Sequence, residues 1–199
     1  MGGAAPPRRP APGASVLVLG ATGGAGRLAV QIARRLGAGR VVAAGRNPER
    51  LALLPALGAD ETVGLDGSPE EVAERLGRAA ADVDVVLDYL WGAVAELALP
   101  ALLTARSDRA APLAWVEIGS MAGAEITLPS ALLRKAAVTL MGSGQGSVAT
   151  KDIVAELPAL AAEISSGTLA VDPVPVPLPD VSRAWSLPTT PGQRVVLVP

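Results

Sequence analysis

The run Val16-Leu17-Val18-Leu19 leads directly into Gly20-Ala21-Thr22-Gly23-Gly24-Ala25-Gly26, after which Leu28, Ile32 and Leu36 recur at helical spacing. An aliphatic strand that feeds a helix through a glycine-rich turn restricts the fold more than any other feature of the chain. Gly23 lets a ligand approach the backbone, and Gly26 lets the helix pack close on the sheet. The free N–H groups of the first helical turn carry positive potential, so an anion suits the turn. Ala21 stands where the first glycine of G-x-G-x-x-G falls, which makes this the looser A-x-G-x-x-G form.

The same alternation continues along the chain. Residues 41–44 read as a strand, 48–57 as a helix opening on Pro48, and 61–65 as a short strand. Ser68 with Glu71 is a capping-box pattern ahead of the next helix. Residues 83–87 predict a fourth strand, 93–103 a fourth helix, 113–118 a fifth strand and 138–141 a sixth, followed by a helix over about 150–165. Helices alternating with short aliphatic strands imply βαβ crossovers. The expected fold is α/β: a doubly wound, mainly parallel six-stranded Rossmann-type sheet with helices on both faces and a Pro-rich C-terminal tail.

Half of the residues are apolar, yet Phe is absent and the aromatics are three Trp and one Tyr. A core of Ala, Val, Leu and Ile suits strands buried on both faces. After Gly167, Pro173, Pro175, Pro177 and Pro179 exclude a central strand and leave 194–198 as the last one. The expected organisation is a disordered leader (1–14), a dinucleotide-binding domain (15–168) and a tail (169–199).

The chain has no cysteine and no histidine. This removes disulfides, thiol nucleophiles, thiolate zinc sites and imidazole acid–base chemistry, and no metal is expected. A net charge of −2, with no basic block longer than Arg8-Arg9, provides no footprint for nucleic acid. The leader lacks the apolar core of a secretory signal, and Arg, Asp, Glu or Pro interrupts every apolar run short of a membrane span. A cytoplasmic protein without a membrane partner is expected.

The second strand ends at Gly45, where an NAD-specific site places Asp or Glu against the ribose 2′-hydroxyl. This chain has Arg46 and Asn47 there, with Arg50 one helical turn on. An arginine meets a 2′-phosphate bidentately, so NADPH is favoured over NADH. The alternative is that Arg46 and Arg50 are ordinary solvated helix-start residues.

The glycine turn, Leu36-Gly37-Ala38, Gly58-Ala59-Asp60, Val86-Leu87-Asp88-Tyr89, Ile118-Gly119-Ser120 and Gly142-Ser143-Gly144-Gln145-Gly146 follow one another in a familiar order. In that order they resemble the cofactor domain of medium-chain dehydrogenases and reductases, nearest to the zinc-independent quinone oxidoreductase branch. The resemblance runs from about Ser15 to the last strand. It implies NADPH with its phosphates at the first loop, and it implies that the ends of the fourth and fifth strands lie beside the nicotinamide ribose and ring. The candidate cofactor-binding residues are then Thr22, Gly23, Gly24 and Ala25, with Gly45, Arg46, Asn47 and Arg50 after the second strand. Leu65 follows the third strand, Tyr89 and Leu90 the fourth, Ile118, Gly119 and Ser120 the fifth, and Ser143 the sixth.

The resemblance further implies hydride transfer to a quinone or other conjugated carbonyl. Members of the family begin with a barrel-like catalytic domain, whereas here only the leader precedes the first strand. The tail is therefore expected to pack on a domain that is missing. A non-catalytic NADPH-binding module, whether fragment, split-enzyme half or redox sensor, is the alternative function. A homodimer through exposed sheet edges, or a partner that supplies the catalytic domain, is the expected assembly.

No catalytic residue is identified. Tyr89 lacks the lysine four residues on that short-chain dehydrogenases use, since position 93 is Ala. Ser120, Ser143 and backbone N–H groups are the available donors to a developing oxyanion. Trp91 and Trp115 read as packing, Asp88 as an acceptor for neighbouring backbone, and the loop 142–146 as either a pocket wall or a plain turn. The first loop alone also resembles the opening of atypical short-chain dehydrogenase-like proteins, among them NADP-sensing regulators, which the later segments fit less well.

Overall fold

A computed structural model, which describes residues 11–189 and 193–199, joins the six aliphatic runs into one sheet. The strands are β1 (Ser15–Leu19), β2 (Arg40–Gly45), β3 (Glu61–Gly64), β4 (Val85–Asp88), β5 (Leu113–Glu117) and β6 (Val138–Gly142). Their order is β3-β2-β1-β4-β5-β6, and every adjacent pair is parallel. The chain first builds outward from β1 to β3, then returns to place β4 on the other flank of β1. Leu19 therefore lies opposite Ala44 on one side and Asp88 on the other. Open α/β sheets bind ligands at such a switch point, beyond the carboxyl ends of the strands.

Successive side chains of a strand face opposite ways, so β1 serves two cores at once. Leu17 and Leu19 pack with Leu76 of α3 (Pro69–Ala80) and with Leu99 and Leu102 of α4 (Gly92–Ala105). Val16 and Val18 pack with Ala29, Val30 and Ala33 of α1 (Gly24–Arg35) and with Leu51 of α2 (Pro48–Leu51). All four of these β1 residues are completely buried, which is why the run contains no polar side chain. α3 starts with the expected capping box. The Ser68 hydroxyl accepts from the Glu71 N–H at 3.3 Å, and the Glu71 carboxylate accepts from the Ser68 N–H at 3.0 Å.

Two sequence expectations are corrected. The helix over 48–57 is broken: α2 stops at Leu51, and a 3₁₀ turn covers Pro55–Leu57. Pro55 has no N–H to donate and its ring crowds the preceding turn, so the chain closes with the tighter bond from the Leu57 N–H to Leu54 O, 2.9 Å. In the tail, β7 (Pro173–Pro177) forms despite its prolines and pairs in parallel with β8 (Arg194–Val198) as a separate two-stranded sheet. Prolines at every second position remove donors from one edge only, and a two-stranded sheet uses only one edge of each strand.

α5 (Ser130–Leu133) joins β5 to β6, α6 (Thr150–Ser165) follows β6 and leads to the second sheet, and α7 (Val181–Ala184) follows β7. The side-chain amide of Gln31 ties the tail to α1, donating to Ala170 O at 3.1 Å and accepting from the Ala170 N–H at 2.7 Å. Arg35 pairs with Glu163 of α6 at 2.7 Å. Residues 1–10, most of the expected leader, lie outside the described residues. Residues 11–14 turn toward the end of α1, with the Gly13 N–H donating to Gly37 O at 2.7 Å. Among the described residues, no helix is long and apolar enough to cross a membrane.

Asp60, just before β3, accepts from the Val41 N–H at 2.7 Å and pairs with Arg34. The Val41 bond foremost, helped by Arg34 and Arg40, holds its carboxyl below the usual range. A depressed folded value means stabilisation that is present above the unfolded value of about 4 and is lost as pH falls through the folded one. Urea unfolding of Asp60→Asn is expected to show a flatter acid limb than the unsubstituted chain. Superimposable limbs would count against this role.

Candidate cofactor-binding site

Parallel pairing sends the carboxyl ends of six strands to one rim, so six separate segments converge there. β1 delivers Thr22, Gly23, Gly24 and Ala25, while β2 delivers Gly45, Arg46, Asn47 and Arg50. Leu65 follows β3, Tyr89 and Leu90 follow β4, Ile118, Gly119 and Ser120 follow β5, and Ser143 follows β6.

β1 turns at Gly20, whose φ of +88° is open to glycine and strained for other residues. The Gly23 N–H donates to Gly20 O at 3.0 Å, and Gly23 is the N-cap of α1. A Cβ at Gly26 would stand 2.2 Å from Gly20 O and 2.7 Å from the Ala21 Cα, so only glycine lets the helix lie this close. A Cβ at Gly23 would meet nothing nearer than Gly20 O at 3.4 Å. The fold thus tolerates a side chain at Gly23, and what that side chain would fill is the open face of the turn. No acidic residue occupies the first turn of α1, which leaves its positive end uncompensated.

At the end of β2, the Asn47 side chain caps α2 by accepting from the Arg50 N–H at 2.8 Å. Arg46 is exposed and has no partner among the described residues. Arg50 approaches Arg27, which projects from the first turn of α1. Burial first, and then the Arg27 charge, lower the pKa of Arg50. The Nε of Arg27 is buried and lacks a hydrogen-bond partner. Two guanidiniums near enough to repel, one of them with an orphaned buried donor, suit a phosphate carried by a ligand. Sequence reasoning missed Arg27. Its signal was a cation placed directly after the closing glycine of the turn.

Asp88 closes β4 without any solvent exposure. Its Oδ1 accepts from the Leu90 N–H at 2.8 Å and the Trp91 N–H at 2.9 Å, and its Oδ2 accepts from the Trp115 indole N–H at 3.1 Å. Burial raises its pKa against the opposing pull of these bonds. They hold Trp91 at φ +50°, ψ −151°, a region that non-glycine residues seldom enter. The expected backbone role of Asp88 is present, and the link to Trp115 adds to it. The Tyr89 side chain packs against the α1-side core, where burial raises its pKa.

The Ile118 and Gly119 N–H groups share Asp88 O, at 2.8 and 3.2 Å. The Ser143 N–H donates to Glu117 O at 2.7 Å. Between the ends of β5 and β6 lies a cleft of about 390 Å³ whose walls include Trp91, Trp115, Glu117, Ser120, Met141 and Gly142. Of these, the sequence reading placed only Ser120 in the cofactor set, and no motif marked Glu117 or Met141. Fully buried Trp115 packs in the core, as expected, and both it and half-buried Trp91 line the cleft. The loop 142–146 leads into a turn in which the Ser147 hydroxyl accepts from the Gly144 N–H at 2.8 Å and donates to Gly144 O at 3.0 Å. Within that loop, Gly142 lines the cleft.

A doubly wound parallel sheet with a glycine turn at its switch point defines a dinucleotide-binding domain of the Rossmann class. Residues 24–163 match the family model for zinc-binding dehydrogenases, and the chain belongs to that family as a quinone oxidoreductase-like cofactor-binding domain. A probable NADPH-dependent quinone reductase of Emericella nidulans is 34% identical over 198 aligned residues, which cover 94% of this chain and 54% of the relative. The crystal structure of a Pseudomonas syringae pv. Tomato quinone oxidoreductase is 28% identical with a TM-score of 0.69, over 94% of this chain and 57% of the other. Escherichia coli quinone oxidoreductase, solved in complex with NADPH, shares the fold at a TM-score of 0.65 and 22% identity, over 86% and 52%. The chain spans about half the length of these relatives. Cys and His are absent from this sequence, and no group of three or more carboxylates placed to hold a metal ion gathers among the described residues.

Proposed function

We propose that the chain binds NADPH along this rim and directs its hydride to a quinone or another conjugated carbonyl. The end of β2 carries the reading: where a carboxylate would bond a ribose 2′-hydroxyl, Arg46 and Arg50 stand instead. The relatives named as quinone reductases, one NADPH-dependent and one solved with NADPH, support it.

In this reading, Arg46 and Arg50 would hold the adenosine end, the first turn of α1 would hold the pyrophosphate, and Tyr89, Leu90, Ile118, Gly119, Ser120 and Ser143 would border the nicotinamide. When bound, NADPH supplies a hydride, two electrons with one proton, and water supplies the second proton. The hydroxyls of Ser120 and Ser143 donate hydrogen bonds to the oxygen on which negative charge develops. Trp91 and Met141 offer flat and adaptable walls to a conjugated ring and keep water from it.

A second reading draws on α6, whose Val154 and Leu157 are 55% and 50% exposed, and on the half-length match to the relatives. It holds that the domain binds NADPH but turns over only with a further domain against it. Titration with both cofactors tests the shared claim. NADPH is expected to bind at least about tenfold more tightly than NADH, the worth of about 1.4 kcal/mol, and equal affinities would overturn both readings. Oxidation of bound NADPH by a quinone panel supports the reductase, whereas tight binding without oxidation selects the module.

A further inference from the structure

We infer that Arg27 and Arg50, brought together from α1 and α2, form a two-guanidinium clamp for the 2′-phosphate of NADPH, with Arg27 deciding the preference for phosphate over hydroxyl at that position. The inference rests on the NADPH reading and assigns it a residue from outside the β2 loop.

The fold puts its other partly buried arginines to work. Arg34 donates to Gly58 O and Ala38 O and Arg75 to Gly64 O, while Arg106, whose Nε is likewise buried and unpaired, uses its Nη1 on Ala81 O and Val83 O. Arg35 and Arg40 pair with Glu163 and Glu61. Arg27, Arg46 and Arg50 alone at this rim have side chains without a partner among the described residues, and the Nε of Arg27 is buried as well. Buried donors are ordinarily satisfied, so an orphaned one is a cost that a ligand can remove.

Position supports the same ligand. Arg27 directly follows the glycine turn, and its helix shares a core cluster with Leu51 of α2, whose start adjoins the end of the second strand where the ribose of a dinucleotide sits. Burial first and the Arg27 charge second lower the Arg50 pKa, and both costs to the guanidinium are relieved by a dianion beside the pair. A planar fork matches phosphate oxygens bidentately, and two forks distinguish a phosphate from a hydroxyl more sharply than one.

The test is titration of the whole chain and of Arg27→Gln with NADPH, NADH and 2′,5′-ADP, alongside thermal melting without cofactor. Arg27→Gln is expected to weaken NADPH and 2′,5′-ADP by about tenfold or more, to leave NADH within about twofold, and to leave melting unchanged or raised. Arg27→Lys should recover part of the loss, and it decides the matter if Arg27→Gln fails to fold. Equal weakening of NADPH and NADH would assign Arg27 to the pyrophosphate and overturn the clamp, as would an unchanged preference. An unsubstituted chain that binds both cofactors equally would defeat the NADPH reading itself, which separates the two failures.

Discussion

Gly26→Ala is expected to lose about 3 kcal/mol of stability, the upper end of the cost of overpacking, and with it measurable NADPH binding. The added methyl lands 2.2 Å from Gly20 O and 2.7 Å from the Ala21 Cα. Both are backbone atoms, so no rotamer change removes the overlap. Either α1 lifts from the sheet, uncovering Ala29, Val30 and Ala33, or the turn opens and its N–H groups lose their shared aim. Gly23→Ala is the informative contrast, since its methyl meets only Gly20 O at 3.4 Å. That variant should stay within about 1 kcal/mol of the unsubstituted chain, the usual scale for an N-cap change, yet bind NADPH more weakly because the methyl occupies the open face. Urea unfolding and cofactor titration of both variants read the two effects separately. A Gly26→Ala variant that unfolds like the unsubstituted chain would show that the helix does not depend on this contact.

Asp88→Ala is expected to cost about 3–4 kcal/mol, because three donors lose their acceptor together and each orphaned donor costs about 1–3 kcal/mol before relaxation. The Trp115 indole N–H is enclosed in the α4-side core and cannot reach water. The Leu90 and Trp91 N–H groups lie in the turn that keeps Trp91 at positive φ, so the strain there loses its compensation. Fluorescence during unfolding follows both the stability and the tryptophan environment.

The pH dependence adds a signature that a merely smaller side chain would not produce. Burial raises the folded pKa of Asp88, so the favourable contribution is complete below the unfolded value of about 4 and is lost as pH rises through the folded value. The stability gap between the unsubstituted chain and Asp88→Ala should be widest in acid and narrow as pH rises. A gap that stays constant with pH would sink the assignment of a raised pKa to this carboxyl.

Much of the frame was legible along the chain because its causes are local. Capping by Ser68 and Glu71 needs only a three-residue spacing, and the aliphatic run 16–19 announces a strand buried on both faces. The glycine turn was legible for the same reason, since its work is done within seven residues. Pro55 misled the reading of the second helix: hydrophobic periodicity runs through it, and hydrogen bonding does not. The prolines of β7 misled in the opposite direction, since a proline forbids a central strand but not one that pairs on a single side.

Parts of the site that involve distant partners were not legible. Nothing near Arg27 says that its charge will be felt at Arg50, and nothing near Asp88 says that the indole of Trp115 will reach it. The cleft beside Ser120 likewise depends on β6 lying next to β5. By itself, the sequence determined an alternation of buried strands and helices with a phosphate-suited turn at the first junction, because side-chain period, caps and glycine act over a few residues. The tertiary structure alone decided the strand order, the arginine pair and the Asp88–Trp115 link. Each of these depends on which segments become neighbours across the sheet, and that choice is made by burying two aliphatic faces at once rather than by any local preference.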